Sequence, residues 1–147
     1  MLHISRWVIA AMVWALIAEA AAQQQPLDKV KAAANNLSHE LVNCTAFFYV
    51  TAIGMLNRGD DKGREMASGQ RQTGDRLAEV ASQIGQIIGQ KPEAIAARLE
   101  MALTDLRKEM DDNFLNYSII QQKYMQPCVD LAANVNGRIA ALKNAGR

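Results

Sequence analysis

Apolar positions recur at intervals of three and four residues along most of the chain, and strict alternation is rare. This spacing is typical of amphipathic α-helices that bury one face. Pro26 suits the first turn of a helix, and the segment Asn57-Arg58-Gly59 is a typical helix end. The first apolar stripe lies between these two signals and consists of Leu27, Val30, Ala34, Leu37, Leu41, Cys44, Phe48, Thr51 and Met55.

Between residues 41 and 53 this helix is apolar on more than one face. Val42, Phe47, Tyr49, Val50 and Ile53 add to the stripe. A helix that is apolar around much of its circumference is buried on several sides. We therefore expect the other helices to close around this segment.

The next segment, residues 57–75, is polar and contains four glycines. Each glycine lowers helix propensity by about 1 kcal/mol relative to alanine. We therefore expect residues 57–63 to form a loop and the second helix to begin between Arg64 and Gly74. Gly89 is predicted to cap the end of that helix, whose apolar positions are Leu77, Val80, Ile84, Ile87 and Ile88.

A third helix is predicted to open at Pro92. The segment 111–113 is a potential interruption, because Asp and Asn favour caps over helix interiors, and Pro127 is expected to kink or break the helix that contains it. The inner face comprises Ile95, Leu99, Ala102, Leu106, Met110, Phe114 and Tyr117, then Cys128, Leu131, Val135, Ile139 and Leu142. The chain is thus predicted to be an all-α, up-and-down bundle of three long or four shorter helices.

The beginning of the chain has the layout of a cleavable secretory signal. Arg6 precedes an apolar run over residues 7–18, and an Ala-x-Ala pattern then ends at Ala20 or Ala22. The run is shorter than the roughly 20 residues of a transmembrane helix, and no later segment is apolar enough to span a membrane. We expect residues 1–22 to be removed and residues 23–147 to form one domain in the periplasm or outside the cell.

Export changes the interpretation of the two cysteines. An even number of cysteines in an exported protein favours a disulfide over buried thiols. We therefore predict a Cys44–Cys128 bridge that joins the first helix to the last.

The sequence is poor in residues for catalysis or metal binding. His39 is the single histidine after the predicted signal, and it lies off the main stripe. No dinucleotide, P-loop or serine-hydrolase motif is present. We expect no enzymatic activity, no metal and no cofactor. Haem held by His39 with Met55 or Met110 is chemically allowed and remains an alternative.

The formal net charge of +1 gives no electrostatic reason to expect nucleic acid or an anionic membrane as partner. The leading hypothesis is a non-enzymatic interaction or structural module that binds another protein or associates with itself. The alternative is a carrier whose bundle core holds a small apolar ligand or haem. The candidate surface for a ligand or partner comprises Phe47, Phe48, Tyr49, Met55, Met110, Phe114 and Tyr117, although core packing is the favoured interpretation for the first three.

Overall fold

A computed structural model describes the backbone of residues 6–145 and the side chains of residues 27–145. Over this part of the chain no strand occurs, and a short 3-10 helix at Phe114–Asn116 precedes the last α-helix. The all-α prediction is confirmed in its four-helix form. The helices are α1 (Arg6–Leu56), α2 (Asp61–Ile87), α3 (Pro92–Glu109) and α4 (Tyr117–Ala145).

Side-chain contacts show that α1 and α2 are antiparallel. The Ser38 hydroxyl donates a hydrogen bond to the carbonyl of Ala81, at 3.3 Å, near the start of this contact. Two turns later the Thr45 hydroxyl donates to the carbonyl of Gly74, at 3.4 Å. Residue numbers therefore rise along α1 while those of the contacting residues fall along α2, as expected for two helices joined by a short connection.

Contacts between α1 and α4 establish the same antiparallel relation. Glu40 pairs with Arg138 at 2.8 Å, and further along α1 the hydroxyls of Thr51 and Tyr117 are 2.8 Å apart. The bundle therefore runs up, down, up and down, with α1 packed against each of the other helices.

The core is centred on α1 between Ala34 and Ala52. The prediction that this helix is buried on several sides is confirmed for Val42, Phe47 and Val50, whereas Ile53 is exposed. The large buried side chains from the rest of the described chain are those of Leu77, Ile84, Ile95, Leu106, Met110, Ile120 and Leu131.

The start of α1 differs from the prediction. The helix begins at Arg6 and passes through Pro26 without interruption. Among its described side chains, those of residues 27–56, the first buried one is that of Ala34. Its end at Leu56 agrees with the predicted stop, and Gly59 then adopts a φ of +74° in the turn. The side chains of the predicted signal, residues 1–22, lie outside the described part. Among the helical segments that the structure describes, none is long and apolar enough to cross a membrane.

The prediction for the start of α2 is wrong, because the helix already begins at Asp61. Asp60 is its N-cap, and the Asp60 carboxylate accepts a hydrogen bond from the Gly63 amide at 2.5 Å. This bond lowers the pKa of Asp60 below its ordinary value. The cap and the packing of buried Gly63 and Gly74 against α1 outweigh the low helix propensity of glycine.

The end of α2 agrees with the prediction. Gly89 has a φ of +81°, a backbone conformation that glycine adopts without steric cost. The amides of Gly89 and Gln90 donate to the carbonyls of Gln86 and Gly85, at 3.0 and 2.8 Å. This pair of bonds is a Schellman cap.

The predicted interruption at residues 111–113 is also confirmed. Asp111 and Asp112 both have positive φ, +52° and +53°, and the Asp112 amide donates to the carbonyl of Arg107 at 2.9 Å. Asn113 then caps the 3-10 helix by accepting from the Leu115 amide at 3.0 Å. The interruption separates α3 from α4 and turns the chain back.

Pro127 does not break α4. The residue whose backbone departs from helical geometry is Asn134, with φ −115° and ψ 18°. Pro127 itself lies on the exposed side of the helix, where water can bond the carbonyl that lacks an amide partner. The kink predicted for α4 therefore exists, but seven residues after the proline.

The predicted disulfide is confirmed. Cys44 and Cys128 are bonded, with a Cα–Cα distance of 5.2 Å. Both residues are buried between α1 and α4. The bond therefore joins the buried part of the central helix to the helix that is most distant in sequence.

Replacing Cys128 with serine should lower the melting temperature under non-reducing conditions. The bridge spans a sequence separation of 84 residues, and the chain-entropy model assigns about 4.5 kcal/mol to closing such a loop. Thermal denaturation of the wild type with reductant is the control, and it should match the Cys128→Ser variant. Equal melting temperatures for the variant and the oxidised wild type would show that the bridge does not stabilise the fold.

Gly74→Ala should destabilise the bundle by about 1–3 kcal/mol, the usual cost of overpacking a core. A Cβ atom at position 74 would lie 2.7 Å from Cε1 of Tyr49. The matched control is Gly69→Ala in the same helix, where a Cβ atom meets nothing within 4 Å. That control should be neutral or stabilising. Similar free energies of unfolding for both variants, measured with denaturant, would contradict close packing at Gly74.

Candidate functional site

Exposed apolar side chains are grouped in two places of the described part, apart from single ones such as Ile87 and Met101. The first is a cleft between α1, α2 and α3 with a volume of about 320 Å³. We call it the arginine cleft, and it is lined by Tyr49, Ala52, Ile53, Leu56, Arg71, Leu103 and Arg107. The second is the outward side of α4 and the turn before it, called the α4 outer face and consisting of Leu115, Ile119, Met125 and Val129.

The floor of the arginine cleft is formed mainly by the last two turns of α1. Tyr49, Ala52, Ile53 and Leu56 share one helix face because they are three or four residues apart. Ile53 and Leu56 are 39% and 51% exposed, although both are large and apolar. The floor therefore keeps apolar surface in contact with water.

The rim of the cleft carries two positive charges. Arg71 comes from α2 and Arg107 from α3. The ion pairs found among residues 27–145 involve other side chains, so both guanidinium groups keep their hydrogen-bonding capacity for an anion. An apolar floor beside two such groups favours an anion with an apolar part.

Tyr49 forms the polar end of the cleft floor. Its hydroxyl donates a hydrogen bond to the Asp75 carboxylate at 2.6 Å. Burial, together with the bond to Asp75 and the charge of that group, raises the pKa of Tyr49 to about 12, and the charge of Arg71 acts in the opposite direction. The hydroxyl thus stays protonated at neutral pH, and Asp75 is held by Tyr49 instead of pairing with Arg71.

Two smaller clefts continue this surface around the end of α1. Ile53 and Arg107 also line a cleft of about 260 Å³ that includes Met110 and Phe114. Phe114 also lines a third cleft, of about 270 Å³, together with Met55 and Tyr117. The shared residues show that the three clefts adjoin.

The candidate residues from the sequence are divided between the core and these clefts. Phe47, Phe48 and Met110 are buried, while Tyr49 lines the arginine cleft. The remaining three, Met55, Phe114 and Tyr117, meet at the third cleft. Burial raises the pKa of Tyr117, whose hydroxyl contacts Thr51.

Of the seven residues that line the arginine cleft, the sequence-based candidates include Tyr49 and miss the other six, among them both arginines and Leu103. Arg71 lies in the segment interpreted as a glycine-rich connection, and Arg107 directly follows the inward-facing Leu106. A helical projection of α3 would have placed Arg107 beside the inner stripe. No sequence signal indicates that Arg71 reaches the same cleft, because that depends on how α2 packs on α1.

A larger cleft of about 470 Å³ lies beside the disulfide, but its positively charged side chains are paired within the protein. Arg138 binds Glu40 and Lys123 binds Glu109, each at 2.8 Å. Partial burial opposes ionisation of Glu109, yet hydrogen bonds from Lys123 and Tyr124 outweigh it and hold the pKa of Glu109 below its ordinary value. This cleft has fewer groups left to bind a ligand.

The arrangement of possible metal ligands argues against the haem alternative with His39 and Met55. Both residues lie on α1, and 16 residues of α-helix separate them by about 24 Å. Of the residues whose side chains are described, no three His, Cys, Asp or Glu are grouped to hold a metal ion. The His39 ring is exposed and contacts the Asn43 amide at 3.2 Å.

The α4 outer face is an exposed apolar surface without a cleft. Ile119, Met125 and Val129 are each about half exposed and lie within about 120° of the helix circumference. Leu115, in the preceding 3-10 helix, is almost fully exposed. Apolar clusters of this kind mark interaction surfaces more often than isolated exposed residues do.

Comparison with known proteins gives no further guidance, because no protein-family model, no curated protein and no solved structure matches the chain. Its function must therefore be inferred from the chemistry of its own surfaces.

Proposed function

We propose that this chain is a small exported, non-enzymatic protein that binds another protein, or a second copy of itself, through the α4 outer face. The observation that carries the proposal is the exposure of four large apolar side chains on one side of α4 and the turn before it. Covering such side chains is favourable, with about 25 cal/mol gained per Å² of apolar surface. The neighbouring Gln122 and Gln126 are uncharged, so covering them carries a lower desolvation cost than covering lysine or glutamate.

This proposal places the association surface on α4 and not on the apolar segment 41–53 of α1. Within that segment Val42, Phe47 and Val50 are already covered by the bundle. Residues on α4 are the better candidates because α4 contacts its neighbours less extensively than α2 does.

One observation supports export. The Cys44–Cys128 disulfide is of a kind that persists in oxidising compartments.

The absence of enzymatic activity stays a proposal, and it is supported by the placement of titratable groups. His39 is exposed, and its partner is an amide instead of a carboxylate. The carboxylates with lowered pKa values, Asp60 and Glu109, act as a helix cap and in an ion pair. His39 and Glu109 do line one cleft of about 190 Å³ with Asp105. Glu109 is paired there with Lys123 and Asp60 caps a helix, so both carboxylates have structural roles.

A second candidate function, a carrier of a small ligand, is favoured by one observation. The arginine cleft combines an apolar floor with two guanidinium groups that have no partner within the described chain. The cleft is concave, unlike the α4 outer face. It therefore suits a small molecule better than it suits the flat surface of a partner protein.

The export proposal predicts that protein recovered from the exported fraction begins after Ala20 or Ala22. Intact mass spectrometry should give the cleaved chain with a mass two hydrogens below that of its reduced form. Ala20→Lys should block processing, because Ala20 belongs to both candidate cleavage patterns, whereas Gln24→Lys should be processed normally. Full-length, reduced wild-type chain in the cell interior would contradict the proposal.

The association proposal predicts that Ile119→Glu with Val129→Glu abolishes complex formation. A photo-crosslinking residue at Met125 should capture a partner of defined mass or a second copy, and the double variant should lose the product. The matched control is Ile87→Glu with Met101→Glu, which charges two exposed apolar positions outside α4. A monomeric molar mass by light scattering, together with no crosslinked product at position 125, would overturn the proposal.

A further inference from the structure

We infer that the arginine cleft binds medium-chain amphipathic carboxylates, with the alkyl chain on the floor of α1 and the carboxylate beside Arg71 and Arg107. This inference rests on the carrier form of the proposed function and names its ligand class. It does not depend on the α4 outer face, which lies elsewhere on the molecule.

The size and lining of the cleft argue for a single alkyl chain. A volume of about 320 Å³ is near the lower end of the roughly 300–1,000 Å³ of small-molecule sites. Ile53, Leu56 and Leu103 present aliphatic surface from two helices. A flexible chain can follow this surface, whereas a large planar ring system such as haem requires a wider slot.

The charge of the rim argues for a carboxylate headgroup. Arginine binds carboxylates through two parallel N–H donors, and Arg71 and Arg107 come from different helices that border the same cleft. The nearby acids do not neutralise them by direct pairing. Asp75 accepts the hydrogen bond of the Tyr49 hydroxyl, and Asp112 lines the adjoining cleft without an ion pair to Arg107.

The apolar floor and the positively charged rim of the cleft disfavour different classes of molecule. A neutral alkyl alcohol would cover the floor but leave both guanidinium groups without an anion. An alkyl ammonium ion would be repelled by them. A short carboxylate such as acetate would pair with an arginine but leave Ile53 and Leu56 in water. The arrangement therefore selects molecules that carry both an acid group and an apolar chain.

The test is isothermal titration of dodecanoate, kept below its micelle concentration, into the purified, disulfide-bonded protein. We expect saturable binding of one molecule, at least tenfold weaker binding of dodecanol, and no binding of dodecyltrimethylammonium. In NMR spectra, dodecanoate should shift the signals of Tyr49 and Ile53 and leave those of Ile119 and Val129 unchanged. Equal affinity for dodecanol and dodecanoate would overturn the carboxylate assignment.

Variants locate the site. Arg71→Gln with Arg107→Gln should weaken dodecanoate binding at least tenfold. Leu56→Gln should also weaken it, because this variant removes apolar surface from the floor of the cleft. Lys108→Gln is the matched control, because it removes an exposed positive charge next to Arg107. Lys108 lines none of the three clefts. Circular dichroism should show unchanged helix content in all variants. Unchanged affinity in the double arginine variant would overturn the inference.

Failure of this inference can be distinguished from failure of the leading proposed function. Complex formation through the α4 outer face is measured by molar mass and crosslinking without any added ligand. Dodecanoate binding is measured on the same chain and depends on residues of α1, α2 and α3. Either result can therefore be negative while the other is positive.

Discussion

The structure depends on the burial of α1 around most of its circumference. Between Ala34 and Ala52 this helix supplies apolar side chains to each of its neighbours, and the polar groups buried there are bonded within the bundle. Ser38 and Thr45 donate to carbonyls of α2, and Thr51 bonds the Phe47 carbonyl and contacts Tyr117. No buried side-chain nitrogen or oxygen in the described part lacks a partner. The other three helices therefore have little freedom in where they dock.

The sequence predicted this arrangement well where a single physical effect dominates. The apolar stripe identified α1, and the Asp and Asn residues at 111–113 and Gly89 marked helix ends. The start of α2 was mispredicted because glycine content was counted without the competing N-cap at Asp60 and the tight contact of Gly74 with Tyr49. The arginine cleft escaped prediction because its walls come from three helices, and helical periodicity does not specify which faces of separate helices meet.

The distribution of paired and unpaired charges distinguishes the surfaces more clearly than their size does. The cleft beside the disulfide, which is larger than the arginine cleft, has its arginine and lysine bound to carboxylates of the same chain. In the smaller arginine cleft, Arg71 and Arg107 form no ion pair with a carboxylate of the described residues. An anionic ligand would have to displace an internal partner at the first site, whereas at the second it would meet two guanidinium groups available for binding. Chemistry, and not volume, therefore makes the arginine cleft the better candidate for a ligand site.

The disulfide also has a topological consequence for that cleft. The bond closes a covalent ring that runs from Cys44 to Cys128, and every residue that lines the arginine cleft, from Tyr49 to Arg107, lies inside this ring. Proteases that trim either tail of the chain cannot remove a wall of the cleft. A single cut within the ring leaves both pieces covalently joined. In a compartment rich in proteases, the bridge would thus keep the walls of the cleft in one covalently joined molecule after a single backbone cut.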